Sequence, residues 1–446
     1  MHDPMRTPRD GVSTSNHQRT RVPDVPVRTD GGLRSVGLGL ITGASDDDPS
    51  AIGTYSSAGA QFGTAILWTA PAVFPMMFAV VYLSSKLGQV AGKGLFDVIR
   101  DRYRAWVTYA VLIGVLIGNT CEAAADIGGI AAAVNILVPI PVPWIAVIAT
   151  ICIVALQIWG SYELIRGIFR WLALSLFAYI VAALLSRPQL VETLKGTFVP
   201  HIAFNRESLS LLVAIIGTSL SAYIYTWQSN VEVEEEVQMG RTHLSQRKGA
   251  TAEELRQSRR DILWGMLFAN VVMYFIMLST SALFRAGKHH IDTAADAAQA
   301  LTPIAGRAAG LLFAVGVVAV GFLAVPIMTT GAAYDLAQTA GWKYGLHKRP
   351  AQARQFYFAI VAISGIATAL NFIGVNPMKA LVWAGIVQGF STPPLMLLIM
   401  LLTNDRKVMG DRKNGVLINM LGWATTLLIF AAAIALVVTF WIDRVH

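Results

Sequence analysis

The chain has 446 residues, of which 54% are hydrophobic and only 14% charged, and its mean hydropathy is +0.54. Soluble domains carry charge on about a quarter of their residues, so a cytosolic fold is excluded. The net charge of +8 therefore reads as basic loops beside a membrane, with no nucleic-acid partner implied.

Residues 1–33 are polar, contain arginine and proline, and show no apolar periodicity. No signal-peptide core follows, so a disordered cytoplasmic tail is expected. Eleven apolar stretches come next, each long enough to cross a bilayer. They lie at about 36–62, 65–86, 106–135, 143–161, 164–186, 208–236, 262–285, 305–338, 355–374, 379–402 and 416–442. With the N-terminus inside, 27 of the 35 lysines and arginines fall in or beside the tail and inner loops and 8 on the outer side. That bias predicts an integral protein of the cytoplasmic (inner) membrane, N-terminus in the cytoplasm and C-terminus outside. The expected division is a ten-helix core over 34–403, then an eleventh helix and C-terminus over 404–446. Cys121 and Cys152 fall in apolar stretches and build neither a disulfide framework nor a metal pattern.

The first span carries Asp46-Asp47-Asp48-Pro49 at its middle. Proline removes a backbone donor and disfavours helix in the residue before it, so this helix should break. A break inside hydrocarbon needs partners for its carbonyls, and acidic side chains at that depth mark an ion path. The sixth span is interrupted as well, by glycine and hydroxyl residues over Gly217-Thr218-Ser219-Leu220-Ser221. Two broken helices five spans apart point to an inverted-repeat transporter whose half-helix ends meet near the midplane.

Asp48-Pro49, the segment Ala58-Gly59-Ala60-Gln61-Phe62-Gly63 and the pair Leu67-Trp68 resemble the NRAMP divalent-metal transporters. The resemblance extends through 135–141 and the broken sixth span, over all ten repeat helices. It implies an all-α polytopic membrane protein with the leucine-transporter fold, a five-plus-five inverted repeat plus an eleventh helix. It also implies transport and not catalysis, with a divalent ion as substrate and no cofactor. Asp48 falls on the family's aspartate ligand and Thr218 on its backbone-carbonyl ligand. Ser221 stands where the family has methionine, and Tyr223 and Gln228 where it has histidines. Ala51 replaces the family's asparagine.

Losing a thioether leaves an oxygen-only site, which suits magnesium, calcium and manganese. The pattern resembles the NRAMP-related magnesium transporters, a branch lacking the methionine; manganese stays open. The expected metal set is Asp48, Thr218, Ser221, Tyr223 and Gln228. Loss of both histidines points to transport without proton coupling.

Further candidates for an ion or proton path are Asp46, Asp47, Glu122, Asp126 and Gln388. Of Asp46 and Asp47, one is expected to line the inner vestibule and the other to cap a half-helix. Glu122 and Asp126, four apart on one helix face, are placed either to relay protons or to hydrogen-bond broken backbone nearby. Gln388 reads as an interhelical hydrogen bond or a scaffold residue facing the site. The acidic run Glu232, Glu234, Glu235 and Glu236 reads as a solvated face, and His289 and His290 as surface residues. The loop at 238–261 reads as an orientation signal alone.

The competing readings are a proton-coupled Mn2+/Fe2+ transporter and a sodium-coupled small-solute transporter of the same fold. Three aspartates facing a substrate carboxylate argue against the second. A membrane enzyme lacks any clustered nucleophile and base, and a sensor lacks a signalling domain. The expected partners are the ion and the lipid bilayer, with no obligate protein partner.

Overall fold

Two helices in this chain stop half-way across, and their neighbours are arranged around the stops. The computed structural model describes residues 38–445 except 160–175, 186, 203 and 303–305, and side chains are described for all of these but 307 and 439–445. The expected N-terminal tail and most of the fifth span lie outside the described residues.

In chain order the helices are α1 (Leu38–Asp46), α2 (Pro49–Phe62), α3 (Thr69–Ala91), α4 (Leu95–Arg102), α5 (Ala105–Asn135), α6 (Val142–Trp159) and α7 (Phe177–Leu185). There follow α8 (Arg206–Ser219), α9 (Ala222–Gln238), α10 (Ala252–Arg285), α11 (Ala309–Ala340), α12 (Arg354–Leu370), α13 (Pro377–Asn404) and α14 (Val416–Val445). Every regular element among the described residues is helical. Eight are long and apolar enough to cross a membrane when α8 and α9 are taken together. The first span is divided by its break into α1, of 9 residues, and α2, of 14, and its three aspartates lower its hydropathy as well. The helix α12 is apolar but 17 residues long.

Expected and observed ends agree to within a few residues, with one clear exception. The helix α10 begins at Ala252, ten residues before the apolar stretch, because Thr251 and Glu254 form a capping box that starts it in the loop.

The packing shows the repeat. The first span lies on α10 and the sixth on α3, so the first, second, sixth and seventh spans form one bundle. Outside it, α5 packs on α11 and α6 on α12, third on eighth and fourth on ninth. Each pairing maps onto its counterpart after a shift of five spans, as an inverted repeat requires. The eleventh span, α14, rests on α3, α8 and α13.

Contacts at the broken helices are backbone on backbone. A Cβ on Gly43 would stand 2.1 Å from the Gly265 carbonyl oxygen, and one on Gly265 1.9 Å from that of Gly39. The outer halves use the same device, with Gly59 against the Met277 carbonyl and Gly217 against that of Gly385. Small residues at such crossings are what allow helices to approach closely in a membrane.

Candidate functional site

Asp48 explains where α2 begins. Its backbone is extended, Pro49 occupies the first helical position, and its Oδ1 accepts from the Ala51 amide at 2.7 Å. This is an N-cap, and it sets a carboxylate against the positive end of the α2 dipole. The same Oδ1 accepts from Ser50 Oγ at 2.7 Å, and Oδ2 lies 3.1 Å from the Tyr223 hydroxyl. The cap is therefore Asp48 itself, which corrects the expectation that Asp46 or Asp47 would take that role. Those two are buried, and none of their carboxylate oxygens has a hydrogen-bond partner. Asp47 lies in the unwound segment, and Asp46 closes α1.

The second break is shorter than expected. Thr218 and Ser219 still belong to α8, and only Leu220 and Ser221 leave the helix. Hydroxyl groups supply the partners its freed carbonyls need. Ser221 Oγ lies 3.1 Å from the carbonyls of both Gly217 and Thr218, and Thr392 and Tyr225 donate to the Leu220 carbonyl. Across the gap, the Tyr223 hydroxyl donates to the Ser45 carbonyl at 2.7 Å, joining the end of α1 to the start of α9.

The third span brings its acids to this junction. Glu122 Oε1 accepts from Ser221 Oγ at 2.8 Å, and its Oε2 accepts from Gln388 Nε2 at 2.7 Å. Gln388 also bonds Asn119, and its Oε1 faces the first amide of α9 at 3.5 Å. So Gln388 is an interhelical hydrogen bond and a site neighbour at once. Asp126 Oδ1 accepts the Ser50 amide at 2.8 Å, which is the broken-backbone role; its Oδ2 has no hydrogen-bond partner. Glu122 bonds side chains only.

Ser50 was not singled out from the sequence, yet it stands at the centre. Besides Asp48, its hydroxyl lies 3.3 Å from Thr218 Oγ1 and 3.4 Å from Glu122 Oε1, and its amide serves Asp126. The signal available was its place directly after a helix-breaking proline, at the break itself.

Gln228 stands apart from this cluster. Its Oε1 accepts from Thr42 at 2.6 Å and its Nε2 donates to Glu232 at 2.8 Å, so it ties α1 to α9 one layer away from Asp48. The acidic run is likewise not a solvated face. Glu232, Glu234 and Glu236 are buried: Glu232 meets Ser85 and Ser258, and Glu234 meets Tyr334, the Leu346 amide and His347. Hydroxyls and amides from neighbouring helices make burial tolerable there. His289 and His290 are exposed, as expected. The 238–261 loop does more than orient the chain, because Arg247 and Gly249 bond the end of α3 at Gly92 and Val90.

Asp48, Ser50, Glu122, Asp126, Thr218, Ser221 and Tyr223 are all fully buried, so the junction is closed to both sides. On one side α1 is held by the Gly39 amide to Asp261 Oδ2 at 2.7 Å and by Thr42 to Gln228. On the other, Tyr55 and Ser219 share a 2.7 Å hydrogen bond between α2 and α8. Three carboxylates, those of Asp48, Glu122 and Asp126, meet here with hydroxyls and carbonyls between them, so the donors of the junction are oxygen atoms. No group of three or more His, Cys, Asp or Glu side chains among the described residues is preformed as a metal cage.

The family profile described as natural resistance-associated macrophage protein-like (Nramp) matches residues 39–439. Among curated proteins the chain is similar to the divalent metal cation transporter MntH of Aeromonas hydrophila, 26% identical over 389 residues, 86% of this chain and 90% of the relative. It is similar to MntH of Bacillus subtilis at 27% identity over 413 residues, 92% of each chain. Among solved structures it resembles the Eremococcus coleocola manganese transporter in complex with an aromatic bis-isothiourea substituted compound. There the TM-score is 0.68 and the identity 18%, over 91% of this chain and 85% of the other. It also matches inward-facing Mhp1, with a TM-score of 0.52 and 12% identity over 92% and 91% of the two chains. These likenesses show the leucine-transporter fold.

Proposed function

The chain belongs to the Nramp family, whose members are membrane transporters and not enzymes, and on that premise we propose that it moves a divalent metal cation by alternating access. The names of the MntH relatives support the ion class. The proposed ion is hard: magnesium first, manganese second. The observation that carries this choice is the donor set. Around the two breaks stand carboxylates, hydroxyls and carbonyls, with Ser221 and Tyr223 where the family uses methionine and histidine. Oxygen donors suit magnesium, calcium and manganese and favour soft metals poorly.

In the proposed cycle Asp48 is the principal charge, and Ser221 and the Thr218 carbonyl complete the oxygen cage. Gln228 acts at the inner closure, through Thr42, and not as a ligand. Parting of Tyr55 from Ser219 admits the ion from outside. Movement of α1 away from α10 releases it toward the cytoplasm, on the side where the N-terminus lies. Transport runs down the ion's own gradient, without a coupled proton.

One observation favours a second reading. Glu122 and Asp126 sit deep in the third span, within hydrogen-bond reach of Ser221 and Ser50, where a proton-coupled manganese transporter would need acids. Calorimetry with Mg2+, Mn2+, Ca2+ and Cd2+ separates the ion choices. The proposal expects Mg2+ and Mn2+ to bind and Cd2+ to bind weakly, and Ser221→Met to raise Cd2+ affinity about tenfold or more. Tight Cd2+ binding by the unaltered chain would overturn the hard-ion choice.

A further inference from the structure

One buried acid belongs to none of these groups. Asp335, in α11, is completely buried, and neither carboxylate oxygen has a hydrogen-bond partner. No ion pair meets it among the described residues; the Thr226 hydroxyl of α9 lies close enough to interact with it, but donates its hydrogen bond to the Tyr223 carbonyl at 3.1 Å. An unpaired carboxylate in such surroundings costs several kcal/mol, so the fold does not hold it there for stability.

Its surroundings are made of oxygen. Helical side chains lean toward the helix N-terminus, so Asp335 overlies Gly331, one turn earlier. A Cβ at Gly331 would stand 3.4 Å from Thr226 Oγ1 and 3.8 Å from the Tyr223 carbonyl oxygen. The bare backbone at Gly331 therefore leaves room for about a methyl group in this gap beside the Thr226 hydroxyl and the Tyr223 carbonyl, with Asp335 one turn further along the same helix. Tyr223 is common to both places, since its hydroxyl reaches Asp48 while its carbonyl faces this gap.

We propose that Asp335, Thr226 Oγ1 and the Tyr223 carbonyl form a second cation station between α9 and α11, taking a hard divalent ion beyond the Asp48 junction. The station deepens the transport reading and rests on it for its role as a relay, though the binding site itself stands on the Asp335 geometry. Oxygen ligands of this kind suit Mg2+ and Mn2+.

Equilibrium dialysis of the full-length purified protein against Mn2+ counts the ions. The unaltered chain should bind two per chain at saturation, Asp335→Asn one, and Asp48→Asn one. Thr226→Val should weaken the second ion about tenfold and leave the first unchanged. Without ions, Asp335→Asn should unfold at the same temperature as the unaltered chain or higher, since a buried charge has gone. Asp335→Asn retaining the full Mn2+ count would overturn the station. So would an ion-free Asp335→Asn that unfolds at a clearly lower temperature, because that marks a structural carboxylate. If Asp48→Asn kept both ions while Asp335→Asn lost one, the Asp48 junction would fail as the transport site and the station would stand.

Discussion

Asp48 does two jobs at one position: it caps α2 and it offers charge to the junction. The two can be separated by substitution, because asparagine caps a helix about as well as aspartate. Asp48→Asn should therefore fold and insert normally yet weaken cation binding about 30-fold or more by calorimetry. Undiminished binding would remove Asp48 from the site. Ser50→Ala leaves the backbone amide on Asp126 but takes the hydroxyl from Asp48, Thr218 and Glu122. A loss of about fivefold in affinity is expected, the worth of one hydrogen-bonding oxygen, and an unchanged affinity would place Ser50 outside the cage.

At this scale the sequence is readable where a residue type is costly in hydrocarbon. Asp48, Glu122 and Asp126 stand out because acids within apolar spans need a reason. Ser50 and the division of labour among three consecutive aspartates do not, because a serine is cheap anywhere and a cap is decided by backbone angles. Asp335 was passed over for a related reason: its carboxylate lies near the end of a long span, where a loop acid would excite no comment.

The half-helices are where sequence and structure differ most. Both breaks were legible, from proline after the aspartates and from glycine with hydroxyls in the sixth span. The second proved to be two residues long, because Thr218 and Ser219 can keep helical angles while Ser221 satisfies the carbonyls behind them. The acidic run was misread since its pattern is that of a wet helix face. What buries it is supplied by α3, α10 and α11, which a local pattern cannot reveal.

The closure of α1 on α10 is a glycine contact and can be tested as one. Gly265→Ala would put a methyl group 1.9 Å from the Gly39 carbonyl oxygen, so α1 cannot reseat. In a background with Cys121 and Cys152 replaced by serine, a cysteine introduced in place of Thr42 should then react with a hydrophilic maleimide at least about tenfold faster. Equal rates with and without Gly265→Ala would show that this contact does not hold the closure.

For the molecule as a whole, the junction is buried and fastened on both sides, which in the proposed cycle is the occluded arrangement. Hydroxyl and carboxyl groups fasten the side toward α1, where Glu234 joins α9 to Tyr334 of α11 and to the loop at His347. Glu234→Gln removes the charge opposite His347 and should favour opening on that side. The same Thr42 cysteine should report it as a severalfold faster reaction; no change would leave Glu234 with a packing role only.

The apolar stretches gave the eleven expected spans and the lysine and arginine bias their proposed orientation, while helix packing shows the repeat. Ion identity is a finer matter, decided by a few donor atoms.

Uptake into proteoliposomes, with internal Mg2+ and internal pH recorded together, tests the central claim most directly. The account predicts Mg2+ accumulation driven by its own gradient, competed by Mn2+, abolished by Asp48→Asn and unaccompanied by acidification. Manganese uptake with internal acidification and no Mg2+ flux would contradict it.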